Sequence, residues 1–218
     1  MSSHKILGLD LSSSTGWAVI ENDRLTNYGL IQGELEESIL GEDLTFFTRA
    51  QKLAKRIGEV VFKTNPTKIY IEQINLGRNR MSQKFLDFIH FAVLNEIGAG
   101  YRDIVSYVDT SRWRTELGIK LSKSQRDHNK KVSESKRKAK ASGKTFRPGK
   151  GSGKIGWKHL STNWANETYN LTLKPSTEND IADAIAVATF GVRIESGRGT
   201  IMVNAIKNAT HFVMAGRR

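Results

Sequence analysis

The apolar positions in the first 33 residues predict three short strands. An apolar run at 5–10 ends in an acid, and two further runs follow at 16–20 and 24–33, with turn residues between them. Short runs of this kind, bounded by Gly, Ser, Asn and Asp, are typical of strands. Because they follow one another so closely, we expect an antiparallel meander.

From residue 43 onward, the apolar spacing changes to the three-or-four-residue repeat of an amphipathic helix. The repeat predicts a helix over 43–64 that ends at Asn65-Pro66. The next predicted elements are a strand at 68–74, a helix at 79–99, a strand at 103–109, and a short helix capped by Thr110 or Ser111 that continues to Leu117. A meander followed by alternating helices and strands implies an α/β fold, with a five-stranded mixed sheet flanked by helices.

Residues 120–156 have no apolar periodicity and are rich in Lys, Ser and Gly. We therefore predict a flexible basic loop inserted into a domain that spans residues 1–195. Order is expected to return with a helix from Trp157 to Leu171 and an apolar helix over 177–190. Residues 196–218 form a C-terminal extension of unknown role, in which 200–206 is compatible with a strand.

The charge is concentrated in the same segment. Residues 120–158 contain 14 Lys or Arg and 2 acids, whereas the rest of the chain has 20 of each sign. A neutral body with one strongly basic segment favours nucleic-acid binding. A solvated tail is a weaker explanation because the segment is internal.

Composition excludes several classes of site. There is no cysteine, so disulfides, thiolate metal sites and a cysteine nucleophile are excluded. No apolar stretch reaches transmembrane length and no signal peptide is apparent, so we expect a cytoplasmic protein without a membrane partner.

Four acids are the candidate chemical groups. Asp10 ends the first predicted strand, Glu72 lies near the end of the fourth, and Asp180 and Asp183 share one face of the 177–190 helix. Ligands collect at the carboxyl ends of strands in α/β sheets, and a helix packed across that edge would add its acids there. Clustered carboxylates need cations, and oxygen ligands select Mg²⁺ or Mn²⁺. Two such ions, about 3.5–4 Å apart, can support phosphodiester hydrolysis.

Each acid also has a structural explanation. Thr177 as N-cap with Asp180 at the third helical position would form a capping box. Asp10 could start a polar turn, and Glu72 could pair with a surface lysine. These alternatives remain open for the acids taken singly.

Three segments resemble the RuvC-type Holliday junction resolvases of the RNase H-like superfamily. They are ILGLDLSSSTGWAVI (6–20), IYIEQI (69–74) and NDIADAIAVA (179–188). The segment YVDTSRWRTELGI (107–119) is similar to the phage and organellar branch of that family. The resemblance covers roughly 5–119 and 157–192.

The resemblance implies an RNase H-like fold and a homodimeric endonuclease that makes paired cuts in four-way DNA junctions and other branched DNA. It implies two Mg²⁺ ions per active site, with Mn²⁺ able to substitute, and no nucleotide cofactor. The metal ligands would be Asp10, Glu72, Asp180 and Asp183. If the protein is viral, it would act in the host cytoplasm.

One position departs from the bacterial pattern. Three residues after the glutamate, where bacterial members have an aromatic wedge, this chain has Asn75. Junction opening would then depend on Leu76 or on the basic loop.

The candidate DNA contacts are polar or basic residues near the four acids or in the basic loop. Hydroxyls after Asp10 could contact a phosphate or form a turn, and arginines can bind phosphate in a bidentate way. The candidates are Ser12, Ser13, Gln73, Asn75, Arg78, Arg80, Lys120, Lys123, Lys130, Lys131, Lys136, Arg137 and Lys138. We expect Trp113 and Trp157 to pack in the core, although Trp157 could instead stack on a base. The Phe-rich helix at 79–99 is suited either to packing on the sheet or to a dimer interface.

Parts of the sequence are compatible with three functions other than a nuclease. The segment GLDLSSSTGWAVI (8–20) also resembles the first phosphate loop of actin-like and sugar-kinase-type phosphotransferases, but the second domain and adenosine motif of that class are missing. A P-loop ATPase is excluded because neither Gly143 nor Gly153 is preceded by a glycine five positions earlier. A catalytically inactive protein that binds branched DNA remains the third alternative.

Overall fold

The structure is a computed structural model that describes residues 4–33, 42–74, 80–149 and 153–197, without the side chains of 42–44 and 81. Its strands are β1 (Lys5–Asp10), β2 (Ser14–Glu21), β3 (Arg24–Gln32), β4 (Lys68–Glu72) and β5 (Val105–Val108). Its helices are α1 (Glu42–Thr64), α2 (Arg80–Arg102), α3 (Thr110–Glu116), α4 (Lys123–Ala141), α5 (Trp157–Tyr169) and α6 (Asn179–Glu195).

The five strands form one mixed sheet in the order β3-β2-β1-β4-β5. The meander β1-β2-β3 is antiparallel, whereas β4 and β5 continue parallel to β1. This confirms the predicted five-stranded α/β fold. Leu9 pairs with Ile71, so Asp10 and Glu72, the next residue on each strand, lie side by side at the carboxyl edge.

Helices cover both faces of the sheet. On one face, α1 and α2 bury residues such as Leu53, Ile57 and Ile89 against the strands. On the other face, α3, α5 and α6 enclose Trp113, Ile185 and Phe190. Trp113 is 0% exposed, which confirms its predicted place in the core.

Two glycines bring α6 into direct contact with the sheet. A Cβ atom at Gly16 would lie 1.9 Å from the carbonyl oxygen of Asp180, and one at Gly8 would lie 2.4 Å from that of Ala184. Any larger residue would therefore push the first turns of α6 away from β1 and β2. The glycines fix how closely the acids of α6 approach Asp10.

Two predicted helix caps are wrong. The N-cap of α3 is Asp109, whose carboxylate accepts from the backbone N–H groups of Ser111 and Arg112. The N-cap of α6 is Glu178 rather than Thr177, and it makes no side-chain capping bond. Glu178 instead accepts from the backbone N–H of Lys174 at 2.8 Å. Asp180 is therefore not explained by a capping box.

The predicted loop at 120–156 contains a helix. Ser122 and Gln125 form a reciprocal capping box that starts α4, and the helix then runs for 19 residues through strong helix formers such as Lys, Arg, Gln and Ala. Apolar periodicity missed it because α4 has no buried residue. The predicted strand at 200–206 lies outside the described residues. Among the helices that the structure describes, none is long and apolar enough to cross a membrane.

Candidate active site

Three carboxylates meet at the carboxyl edge of the sheet. Asp10 ends β1, Glu72 ends β4, and Asp183 lies in the second turn of α6, where it is 8% exposed. One oxygen of each lies within 4.8 Å of the other two. Asp10 and Asp183 are more than 170 positions apart in the sequence. Two parallel strands and a helix packed across their ends bring them together.

Asp180 lies beside this group but outside it. It is one turn before Asp183 on α6, and it accepts a hydrogen bond from the side-chain amide of Asn179. Lys158 donates to the Asn179 side-chain oxygen at 3.3 Å. The charge of Asp180 reaches the group, because it raises the pKa of both Asp10 and Asp183.

Burial and mutual repulsion oppose ionisation of the three carboxylates. Burial raises the pKa of Asp10 well above its usual range, and Glu72, Asp183 and Asp180 raise it further. Burial raises the pKa of Glu72 to about 7, against the hydrogen bond from Thr110, which lowers it. Burial also raises the pKa of Asp183, while the neighbouring Ser161 hydroxyl and Arg114 lower it. A cation among these groups would favour their charged forms.

The residues present fit a hard divalent cation. All three converging groups offer oxygen ligands, as Mg²⁺ and Mn²⁺ prefer. Asp183 Oδ1 is buried, and although the Ser161 hydroxyl lies near enough to lower the pKa of Asp183, neither Ser161 Oγ nor Asp183 Oδ1 makes a hydrogen bond of ordinary geometry among the described residues. A buried acceptor without a partner destabilises the protein, and coordination to an ion would satisfy it.

Helix α3 orients Glu72. The hydroxyl of Thr110, its first residue, donates to Glu72. Three residues further on, the buried Trp113 anchors the helix in the core. The Asp109 cap therefore fixes the start of a helix whose first turn holds the glutamate of β4.

Arg114 is a site residue that the sequence analysis missed. Its Nη2 lies 3.8 Å from Asp183 Oδ2. The guanidinium lies over two indole rings, 4.7 Å from the Trp113 ring centroid and 5.1 Å from that of Trp157. Trp157 is 47% exposed, so the prediction that it packs in the core is wrong. The sequence signal that could have indicated Arg114 is the Arg-Trp-Arg run at 112–114, in which a basic residue directly follows an aromatic residue expected in the core.

The predicted DNA contacts near the acids are placed as follows. Ser12 lies in a polar turn, where its hydroxyl donates to the Ser14 carbonyl at 2.8 Å, and Ser13 is exposed in the same turn. Gln73 is exposed just after β4, and Arg80 is exposed at the start of α2. Asn75 and Arg78 lie outside the described residues.

The remaining predicted contacts lie on or next to α4, and all are exposed. Lys120 precedes the helix, and the others are Lys123, Lys130, Lys131, Lys136, Arg137 and Lys138. Asn129 fastens the helix to the chain that follows it, because its side chain donates to the Ile155 carbonyl at 2.9 Å and accepts from the Ile155 N–H at 2.8 Å. The basic helix is therefore held near the start of α5, where Trp157 lies against Arg114.

Comparison with known proteins gives structural matches alone. No family model matches the chain, and no curated protein matches it. The structure of T. thermophilus RuvC in complex with a Holliday junction substrate is 13% identical, with 90% of this chain and 98% of that chain covered and a TM-score of 0.56. A second Thermus thermophilus RuvC structure is 14% identical, with the same coverage and a TM-score of 0.54.

A third match is the yeast mitochondrial Holliday junction resolvase Ydc2, which is 15% identical, with 85% of this chain and 76% of that chain covered and a TM-score of 0.43. At these identities a structural match establishes the fold. The two RuvC structures, together with the sheet order and the position of α6, therefore show that this chain has the RNase H-like fold of RuvC.

Proposed function

We propose that this protein is a metal-dependent endodeoxyribonuclease that cuts branched DNA, four-way junctions in particular. The observation that carries the proposal is the convergence of Asp10, Glu72 and Asp183 at the carboxyl edge of an RNase H-like sheet. Acids paired with surface lysines would face solvent. These three instead face one another, in a place where burial opposes their charge.

In this proposal the three carboxylates hold Mg²⁺, or Mn²⁺ in its place, and Asp180 is the fourth acid of a site for two ions. When bound, such ions activate a water and stabilise the leaving oxygen of a phosphodiester. The protein's own contribution is orientation. Thr110 fixes Glu72, Gly16 sets the approach of α6, and Asn179 holds Asp180.

Arg114 supplies a fixed positive charge beside Asp183. The two indoles restrict its movement, and its Nε is buried without a hydrogen-bond partner among the described residues. Arginine recognises phosphate oxygens through its planar set of donors. We assign Arg114 to orient Asp183 in the free protein and to face the DNA phosphate when the site is filled.

The basic helix α4 supports DNA as the substrate. Lys or Arg occupies eight of its 19 positions, and an acid occupies two. A membrane-surface helix would need bulky apolar residues on one face, and α4 has Val132 as its largest aliphatic side chain. One structural neighbour is described as bound to a Holliday junction substrate, which supports branched DNA over plain duplex as the target.

Paired cuts at a junction require two active sites, so we also propose a homodimer. Phe47 on α1 and Phe91 on α2 are 37% and 67% exposed, on helices that pack against each other. Exposed aromatics of this kind are enriched at protein interfaces. Light scattering after gel filtration would measure the mass. A monomer at micromolar concentration would contradict this part of the proposal.

The test of the function is cleavage of a synthetic four-way DNA junction beside a linear duplex of the same sequence, with Mg²⁺ and with EDTA. We expect metal-dependent nicks in opposing strands near the branch point. Equal cutting of both substrates would leave a nuclease but contradict junction selectivity. Tight binding without cutting in Mg²⁺ or Mn²⁺ would favour the catalytically inactive binder.

A further inference from the structure

A cationic cleft lies beside the carboxylates, on the face of the sheet away from Arg114. One cavity of about 390 Å³ opens between α1 and α2, and its walls combine the apolar side chains of Phe46, Phe85 and Leu86 with Ser12, Ser13, Ser82 and Arg49. A second cavity of about 230 Å³ shares Arg49 and adds Lys52, Lys55 and Arg56 from α1. We call the two together the α1 cleft. None of the described residues that line it is acidic.

Arg49 is held in place at the wall common to both cavities. Its guanidinium lies 5.6 Å from the ring centroid of Phe85. Its Nε is buried and has no hydrogen-bond partner among the described residues. A buried donor without an acceptor destabilises the free protein. An anionic oxygen that enters the cleft would supply the missing acceptor.

The cations of α1 form a row instead of a single point. Arg49, Lys52 and Arg56 have the i, i+3, i+7 spacing of one helix face, so neighbours lie about 4.5 and 6 Å apart along the axis. Arg56 is oriented by the bond from its Nη1 to the Gln32 carbonyl at 2.8 Å. A row of cations matches a chain of phosphates better than it matches one small anion.

The cleft adjoins the candidate active site from the side opposite to α4. Ser12 is two residues after Asp10, so the cleft begins where β1 ends. Helices α1 and α2 pack on one face of the sheet, whereas Trp113 and α6 pack on the other. The carboxylates lie at the edge between the faces. A strand with one phosphate at Asp10 would therefore have Arg114 on one side and Arg49 on the other.

We propose that the α1 cleft binds the phosphodiester backbone of the strand to be cut, next to the scissile phosphate. Arg49 contacts one phosphate through its guanidinium, and Lys52 and Arg56 neutralise the phosphates that follow. The inference rests on the proposed function, because it assumes a DNA strand at the carboxylates. It assigns a site on α1, within the part of the chain that has no net charge.

The test combines the removal of one negative charge from the DNA with the removal of one positive charge from the protein. Four-way junctions carry one uncharged methylphosphonate at each phosphate near the cleaved bond in turn, and binding is measured in EDTA over a range of salt. We expect Arg49→Gln to weaken binding of the unmodified junction roughly tenfold and to reduce the slope of log K against log salt by about 0.9. One methylphosphonate should weaken binding by the unsubstituted protein but leave binding by Arg49→Gln unchanged.

Lys63→Gln is the matched control, because it removes one exposed charge from the last turn of the same helix. It should bind nearly as the unsubstituted protein does. If Arg49→Gln fails to fold, the exposed Lys52→Gln is measured in its place. Equal sensitivity of variant and unsubstituted protein to every methylphosphonate would overturn the inference.

The two proposals fail in different ways. A protein that cuts junctions with Mg²⁺, but in which no phosphate couples to Arg49 or Lys52, retains its proposed function and loses the α1 cleft. A protein that shows the coupling but never cuts retains the cleft as a backbone-binding site and loses the nuclease.

Discussion

Helices α6 and α4 are of similar length but have opposite environments. Of the 17 residues of α6, 11 are buried, and one of them is Asp183. Of the 19 residues of α4, none is buried, and eight are basic. Helix α6 is held by packing on the sheet, and α4 by its capping box, its helix propensity and the Asn129 tether. The chain thus separates the proposed chemistry, which needs a rigid core, from proposed DNA binding, which needs accessible charge.

The largest expected effect comes from the core helix. Asp183→Asn should reduce cleavage of a four-way junction roughly 10³-fold, because it removes a charged oxygen ligand from the proposed metal site. Binding of the junction in EDTA should change little. Initial rates and binding curves of the two proteins measure this separation. Cleavage at the unsubstituted rate would show that the metal-site assignment is wrong.

The second effect comes from the exposed helix and has the opposite profile. Replacing Lys130, Lys131, Lys136, Arg137 and Lys138 with Gln should weaken junction binding roughly 10²-fold at moderate salt, with a shallower salt dependence. The melting temperature should not change, because α4 has no buried residue.

Helix α4 also offers a control of opposite sign. Glu134→Gln removes an acid from the same exposed helix and should tighten binding. A large fall in the melting temperature of the variant with five basic residues replaced would contradict the conclusion that α4 contributes nothing to the core.

Arg114→Gln should have an intermediate effect on the cleavage rate. Like Asp183→Asn in α6, it should lower the rate of cleavage more than the affinity for DNA. We expect cleavage at saturating DNA to fall roughly 10-fold to 10²-fold, because Asp183 loses its neighbouring cation and the phosphate loses a donor. The affinity in EDTA should fall much less. Single-turnover cleavage rates, compared with binding constants, separate the two quantities. Arg114→Lys keeps the charge and should recover part of the rate. A change confined to affinity would show that Arg114, like the basic residues of α4, contributes to DNA binding and not to cleavage.

A smaller effect concerns stability without metal. Asp10→Asn should raise the melting temperature in EDTA near pH 8 by a few degrees, because it removes a carboxyl group whose ionisation is opposed by burial and by the neighbouring acids. Mg²⁺ should raise the melting temperature of the unsubstituted protein and have less effect on Asp10→Asn. Differential scanning calorimetry with and without Mg²⁺ measures both. A lower melting temperature for Asp10→Asn in EDTA would contradict the repulsion argument.

The smallest expected effect is a pH dependence of the free energy of unfolding, caused by the buried His90. Burial lowers the pKa of His90 from 6.5 to about 4, so between these values the unfolded chain binds the proton and the folded protein does not. The free energy of unfolding should therefore fall as the pH falls from about 6.5 towards 4, by at most about 1.4 kcal/mol per pH unit. The raised pKa of Glu72 acts in the opposite sense, so the comparison must be made with a variant of His90 alone.

Urea denaturation of His90→Gln in EDTA at several pH values gives the required difference. The variant should lose this component of the slope, whereas the Gln-substituted α4 variant should retain it. An unchanged slope in His90→Gln would show that this histidine does not titrate as described.

The sequence alone determined the sheet and the position of the acids along it. Apolar runs in β1, β2 and β4 have the length and spacing of strands because these strands are buried in the sheet, and burial imposes the apolar pattern. Helix α6 was found for the same reason. Patterns predict well where the core constrains the chain.

Helix α4 was missed because it has no buried face and hence no apolar repeat, although its capping box and its strong helix formers are local signals. Tertiary structure alone decided the contacts around the acids, because no local pattern specifies them. Arg114 and Asp183 are 69 positions apart in the sequence, and they meet only because α3 packs against α6. The N-cap of α6 is Glu178, not Thr177, and the first turn of the helix lies close to β2 because Gly16 has no side chain there. Distances between residues far apart in the chain are set by the packing of helices and strands. The pattern of apolar residues predicts which elements form, but it does not predict how they pack.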